Sequence, residues 1–132
     1  MTRYLLDANT LIALTITEHV HFDRASIWFA GVAEAALCPI VEGALTRYLV
    51  RVGVPAATIG AILRALHDDP RIEPWADDLS YADVDLRAVT GHRQVTDAYL
   101  AALAAHHRGR LATLDAALSR AHPERTLLIP ES

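Results

Sequence analysis

The sequence predicts an α/β fold, a central parallel sheet of about four to five strands with helices on both faces. Three observations predict it. Short apolar runs alternate with longer segments of helical period, the pattern of strands joined by helical crossovers. Helix punctuation falls between them, with Pro39 where a helix would begin and Gly53, then Pro55, where it would stop. The 132 residues have the size of a single domain over 1–132, long enough to bury roughly two-thirds of the unfolded surface.

Taken in order, "RYLL" is a strand candidate and "ANTLIALTI" continues as a helix. "HFDRASIWFAGVAEA" is helical, with Phe22, Phe29 and Val32 at helical intervals. "ALC" is a second strand, and "PIVEGALTRYLVRV" is the helix that Pro39 opens and Gly53 closes. "AATIGAILRALHD" is a further helix, and "RIEPWA" a third strand whose Pro74 marks its end or a sheet edge. "DDLSYADVDLRAVT" reads as a loop with a short helix. "TDAYLAALAAHHR" is a clear helix, with Thr96 as N-cap and Gly109 as C′. "RLAT", "DAALSRAH" and "TLLIP" complete the pattern as strand, short helix and strand.

Composition narrows the function classes. Charged residues at 21% beside 52% hydrophobic ones exclude a disordered chain. No apolar run approaches the roughly 20 residues of a membrane span, so no membrane partner is expected. No signal peptide is recognisable, and the single cysteine, Cys38, excludes an internal disulfide and suits a reducing compartment; a cytoplasmic location is the expectation. The net charge of −4 offers no basic footprint for nucleic acid, and all twelve basic residues are Arg, which excludes chemistry that needs a Lys ammonium.

The acids are more informative. Ligands of open parallel sheets bind outside the carboxyl ends of the strands. Asp7 follows the first strand, Asp115 follows the fourth, and Glu42 lies near the start of the helix after the second. Asp97 opens the helix that leads into the fourth strand, which brings it to the same edge. Each aspartate can equally be a helix cap, satisfying free amides at the positive end of a dipole. Glu42 fits that reading less well: Leu45 and Leu49 share its helix face, and a carboxylate there needs a partner. Carboxylates about 4 Å apart repel by about 4 kcal/mol at an effective dielectric near 20, so a converging set needs a cation. Oxygen-only ligands suit Mg²⁺ or Mn²⁺, and an ion so held serves phosphodiester hydrolysis.

With these residues in view, the chain resembles the PIN-domain ribonucleases, and among them the VapC-type toxins of bacterial toxin–antitoxin pairs. The matching segments are "LLDANTLI", "CPIVEGALTRYL", "GHRQVTDAYLAALAAHHRGRLATLD" and "LLIP", in the family's order and spanning essentially the whole chain. The resemblance implies that Asp7, Glu42, Asp97 and Asp115 form an acidic catalytic set that binds Mg²⁺ or Mn²⁺, with Asn9 and Thr113 supporting it. It implies endonucleolytic cleavage of RNA to a 5′-phosphate and a 3′-hydroxyl, a homodimer, and silencing by a VapB-type antitoxin. Cys38 stands where many such proteins have Ser or Thr, which puts the helix cap there in doubt.

Other readings compete. A solitary PIN nuclease would lack the antitoxin, and a PIN-like scaffold could act only as a binding module, though that has no reason to keep four acids. Haloacid dehalogenase-like phosphatases also begin with an Asp after a strand, but their "DxDxT" pattern fails at Asn9 and a Lys is missing. Seven histidines suggest zinc, yet no HExxH or Cys/His spacing appears. His92 and Arg93, just before Asp97, are candidate RNA contacts. Arg47 and Arg51, one helical turn apart, could meet RNA, meet an antitoxin, or face water. Asp77, Asp78, Asp83 and Asp85 read as a solvated surface. Trp28, Phe29 and Trp75 read as core or dimer contact.

Overall fold

The computed structural model describes residues 1–131. They form five strands, β1 (Tyr4–Leu6), β2 (Ala35–Leu37), β3 (Ile72–Pro74), β4 (Arg110–Thr113) and β5 (Thr126–Leu128). Six α-helices join them: α1 (Ala8–Thr15), α2 (Phe22–Ala30), α3 (Pro39–Arg51), α4 (Ala56–Asp68), α5 (Val95–His106) and α6 (Ala116–Ala121). The strands make one sheet in the order β3-β2-β1-β4-β5, every neighbouring pair parallel. β2 is buried at all three residues, and Leu111, Ala112 and Thr113 of β4 are buried in succession. Successive strand residues point to opposite faces, so both faces of the sheet centre are covered, as the apolar runs predict. β3 lies at the edge, where Pro74 removes no needed ladder donor.

The helices start and stop where side-chain chemistry dictates. Pro39 occupies the first turn of α3, and that helix ends with Gly53 at φ 85°, where the Val54 amide reaches back to the Leu49 carbonyl at 2.9 Å. α5 differs from expectation at both ends. It starts before Thr96, because a 3₁₀ turn at His92–Gln94 runs straight into it; Gln94 Oε1 secures the turn by accepting from the Thr90 and Gly91 amides at 2.6 and 3.3 Å. At its end the left-handed residue is Arg108, φ 62°, not Gly109. The Gly109 amide bonds to the Ala104 carbonyl at 2.7 Å, one position further along the same closing motif. Gly109 is needed for space: a Cβ there would lie 2.4 Å from the Arg3 carbonyl oxygen. α2 also ends early, at Ala30, since Gly31 and Val32 turn the chain onto the Trp28 and Phe29 carbonyls.

The winding of the chain positions the site. From β1 it builds outward through β2 to β3, then returns beside β1 at β4 and builds the other way to β5. The direction reverses between β1 and β4, and a crevice at the carboxyl ends of the strands follows from such a reversal. α5 packs against β1 and β4 through a run of small and apolar residues, Ala98 to Ala104, all buried. Its first turn is thereby held at that crevice.

Candidate active site

Asp7 and Asp115 flank the switch point, each one or two residues past a central strand and each the N-cap of the following helix. The Thr10 amide donates to Asp7 Oδ1 at 2.8 Å, and the amides of Ala117 and Leu118 donate to Asp115 Oδ1 at 2.9 and 3.1 Å. The Asp7 amide donates to the Ala112 carbonyl at 3.2 Å, continuing the β1–β4 pairing up to the site itself. Thr113 is fully buried between the two acids; its Oγ1 accepts from the Asp115 amide at 3.0 Å. Capping and site roles coexist here.

Asp97 is the third member. It belongs to the first turn of α5 and lines two adjoining cavities. One, of about 460 Å³, it shares with Asp7 and Asn9; the other, of about 70 Å³, it shares with Asp115. The electrostatics record the convergence. Burial pushes the Asp97 carboxyl up to about 6, with the charges of Asp7 and Asp115 adding to the rise. Burial also raises the Asp7 carboxyl, which is 5% exposed; hydrogen bonds from Thr113 and Thr10 pull it back, and the charge of Asp115 pushes it further up. Three carboxylates therefore share one crevice at a cost in repulsion and desolvation.

The chemistry of the donors fits a divalent cation. Among the described residues no three His, Cys, Asp or Glu side chains are disposed as a ready set of ligands. Mg²⁺, however, uses one or two carboxylates and keeps several waters. The elevation of Asp7 and of Asp97, to each of which the charge of Asp115 contributes, is the conflict that such an ion relieves.

The remaining expected residues divide. Asn9 is exposed and lines the larger cavity. Glu42, expected at the same edge, is engaged with a residue of α4. Its carboxylate lies 2.9 Å from His67 Nε2 on α4, and it lines neither cavity. Ile40, Gly43, Ala44 and Arg47 form the face of α3 that lines the cleft; Glu42 projects from a different side of the helix. It does have the partner its face demands, but that partner is His67. His92 and Arg93 are exposed on the 3₁₀ turn and line neither cavity. Among the surface acids, Asp78 is paired with His107 at 2.8 Å and Asp85 with Arg87 at 2.8 Å.

Sequence reasoning missed Thr10 and Tyr81, and left Arg47 open between RNA, an antitoxin and water. Thr10 is fully buried, and its Oγ1 donates to the Ala112 carbonyl at 3.2 Å. Its position three residues after Asp7 is the third residue of a capping motif, a signal that was available. Arg47 and Tyr81 both line the 460 Å³ cavity. Arg47 is legible as a helical-face neighbour of Ile40 and Ala44; Tyr81 comes from a loop whose path the local sequence does not fix.

An α/β domain with aspartates gathered at the switch point of a five-stranded parallel sheet defines the class of protein. The PIN domain family model matches residues 4–122. The chain is 50% identical over 127 residues to Ribonuclease VapC29 of Mycobacterium tuberculosis (strain ATCC 25618 / H37Rv), covering 96% of each chain. It is 38% identical over 119 residues to Ribonuclease VapC38 of the same strain, covering 85% of this chain and 84% of that one. Ribonuclease VapC39 is 39% identical over 127 residues, with 87% and 90% covered. The chain belongs to the PIN-domain family and, within it, to the VapC-type proteins.

Proposed function

We propose that this protein is the toxin of a type II toxin–antitoxin module, a divalent-metal-dependent endoribonuclease held in check by a VapB-type antitoxin. The observation that carries the reading is the convergence of Asp7, Asp97 and Asp115 at the switch point, with the Asp97 carboxyl pushed up to about 6. The relatives named as ribonucleases, matched over nearly the full length, support RNA as the substrate. Asp7, Asp97 and Asp115 would hold Mg²⁺ or Mn²⁺ between them, with waters completing its shell. When bound, such an ion lowers the pKa of an attacking water and neutralises charge on phosphate oxygens. Thr10 and Thr113 keep the Asp7 carboxylate from swinging out of the crevice. Asp97, raised by burial and by the charges of Asp7 and Asp115, is a carboxylate that such an ion would help to keep ionised. Asn9 and Thr113 support the site, His92 and Arg93 contact RNA outside it, and the toxin pairs as a homodimer. Glu42 joins the set only if its pairing with His67 opens.

The test is cleavage of total RNA by purified protein. Cleavage is expected with Mg²⁺ or Mn²⁺, and loss is expected in EDTA and in the Asp7→Asn variant. Equal cleavage in EDTA overturns the metal dependence, and no cleavage of any RNA overturns the ribonuclease reading.

A further inference from the structure

We propose that Tyr81 and Arg47 form a nucleotide grip in the cleft, the Tyr81 ring stacking an unpaired base and the Arg47 guanidinium holding its phosphate. These two residues, beside the aspartates, supply the cleft's hold on an unpaired nucleotide. This inference rests on the ribonuclease reading and specifies the residues by which the same site grips its RNA.

Tyr81 is built as a platform. It sits in a 3₁₀ turn (Tyr81–Asp83) that Ser80 caps by accepting from the Ala82 amide at 3.0 Å. Its ring lies 4.6 Å from that of Tyr99, centroid to centroid, at 35°. Tyr99 is buried on α5, two residues from Asp97, so one side of the Tyr81 ring is supported by the element that carries the acid. Tyr81 itself is 43% exposed and lines the cleft that Asp7 and Asp97 line. An aromatic ring that is exposed yet immobilised presents a face to a base, which sequence-tolerant stacking uses.

Arg47 supplies the opposite charge. The ion pairs among the described residues engage Arg3, Arg24, Arg71 and Arg87, not Arg47. Neighbouring Arg51 is turned over the Tyr48 ring at 5.8 Å, whereas Arg47 lines the cleft. The α3 surface beside it is small: a Cβ added at Gly43 would meet nothing within 4 Å. That leaves room for a sugar and phosphate between the guanidinium and the aspartates. In an acidic cleft of a chain without Lys, a free guanidinium is the group that draws in a phosphate. A duplex keeps its bases stacked on each other, so it cannot offer one to Tyr81 without paying for unstacking.

The test measures binding of a fluorescein-labelled, unstructured RNA decamer by anisotropy, in the Asp7→Asn background with EDTA. Tyr81→Ala is expected to weaken binding on the order of tenfold. Tyr81→Leu, which still covers Tyr99, is expected to weaken it as well, while Tyr81→Phe restores most of the loss. Arg47→Ala is expected to weaken binding and to flatten its salt dependence by about 0.7 in log–log slope. The same decamer annealed to its complement is expected to compete poorly. If Tyr81→Leu binds as well as Tyr81→Phe, or if the duplex competes equally, the grip is overturned. Metal-dependent cleavage by the unaltered protein separates the two readings: with cleavage intact, such results sink the grip alone, and with no cleavage of any RNA the ribonuclease reading falls first.

Discussion

Thr10 holds Asp7 from two directions: its amide donates to the carboxylate at 2.8 Å, and its hydroxyl ties α1 to β4 through the Ala112 carbonyl at 3.2 Å. The buried acid of the cleft is thus fixed by the first turn of its own helix. Thr10→Val keeps the shape and the amide bond but loses the hydroxyl. It is expected to lower stability by about 1 kcal/mol in urea denaturation and to slow cleavage without abolishing it.

The elevated Asp97 carboxyl has a signed consequence for the metal-free protein. The unfolded group ionises near 3.8 and the folded one near 6, so the folded state binds more protons in that window. Stability therefore falls as pH rises through it, and the full penalty is present above it. Asp97→Asn removes the penalty. In EDTA its Tm is expected to match the parent near pH 4 and to exceed it by about 4 °C at pH 7.5. A constant difference across this range would show that Asp97 does not carry the strain.

Cys38 is fully buried at the N-cap of α3 and makes no side-chain cap hydrogen bond. Burial, with a smaller contribution from Asp77, pushes its thiol up to about 12. Thiolate is the reactive form, so the native protein is expected to resist iodoacetamide, with labelling only at the rate of unfolding.

Gly109 approaches the Arg3 carbonyl so closely that a methyl group has no room, and its hypothetical Cβ would also lie 3.2 Å from Trp75. Gly109→Ala is expected to cost about 1–3 kcal/mol, measured by chemical denaturation.

Much of this fold is legible in the sequence because its local signals agree with one another. Pro39, Gly53 and the apolar runs at Leu5, Ala36 and Leu111 each mark an element that is present. The differences arise where a contact outside the element decides where it ends. α5 begins early because Gln94 gathers amides from the preceding turn, and Gly109 serves contact with Arg3 more than helix closure. The three aspartates are legible because strand ends and helix starts share one edge of a parallel sheet. Position along the chain groups Glu42 with them, whereas its carboxylate meets His67 of α4. Tyr81 is invisible in advance, since only the folded loop lays it over Tyr99.

The most direct test of the aspartate site is thermal denaturation at pH 7.5 with and without Mn²⁺, for the unaltered protein and for Asp7→Asn, Asp97→Asn, Asp115→Asn and Glu42→Gln. An ion bound only by the folded state raises stability by about 2.7 kcal/mol at a hundred times its Kd. If the three aspartates hold the ion, that rise shrinks sharply in each aspartate variant and persists in Glu42→Gln. An unchanged rise in all three aspartate variants, or a loss confined to Glu42→Gln, would contradict the assignment.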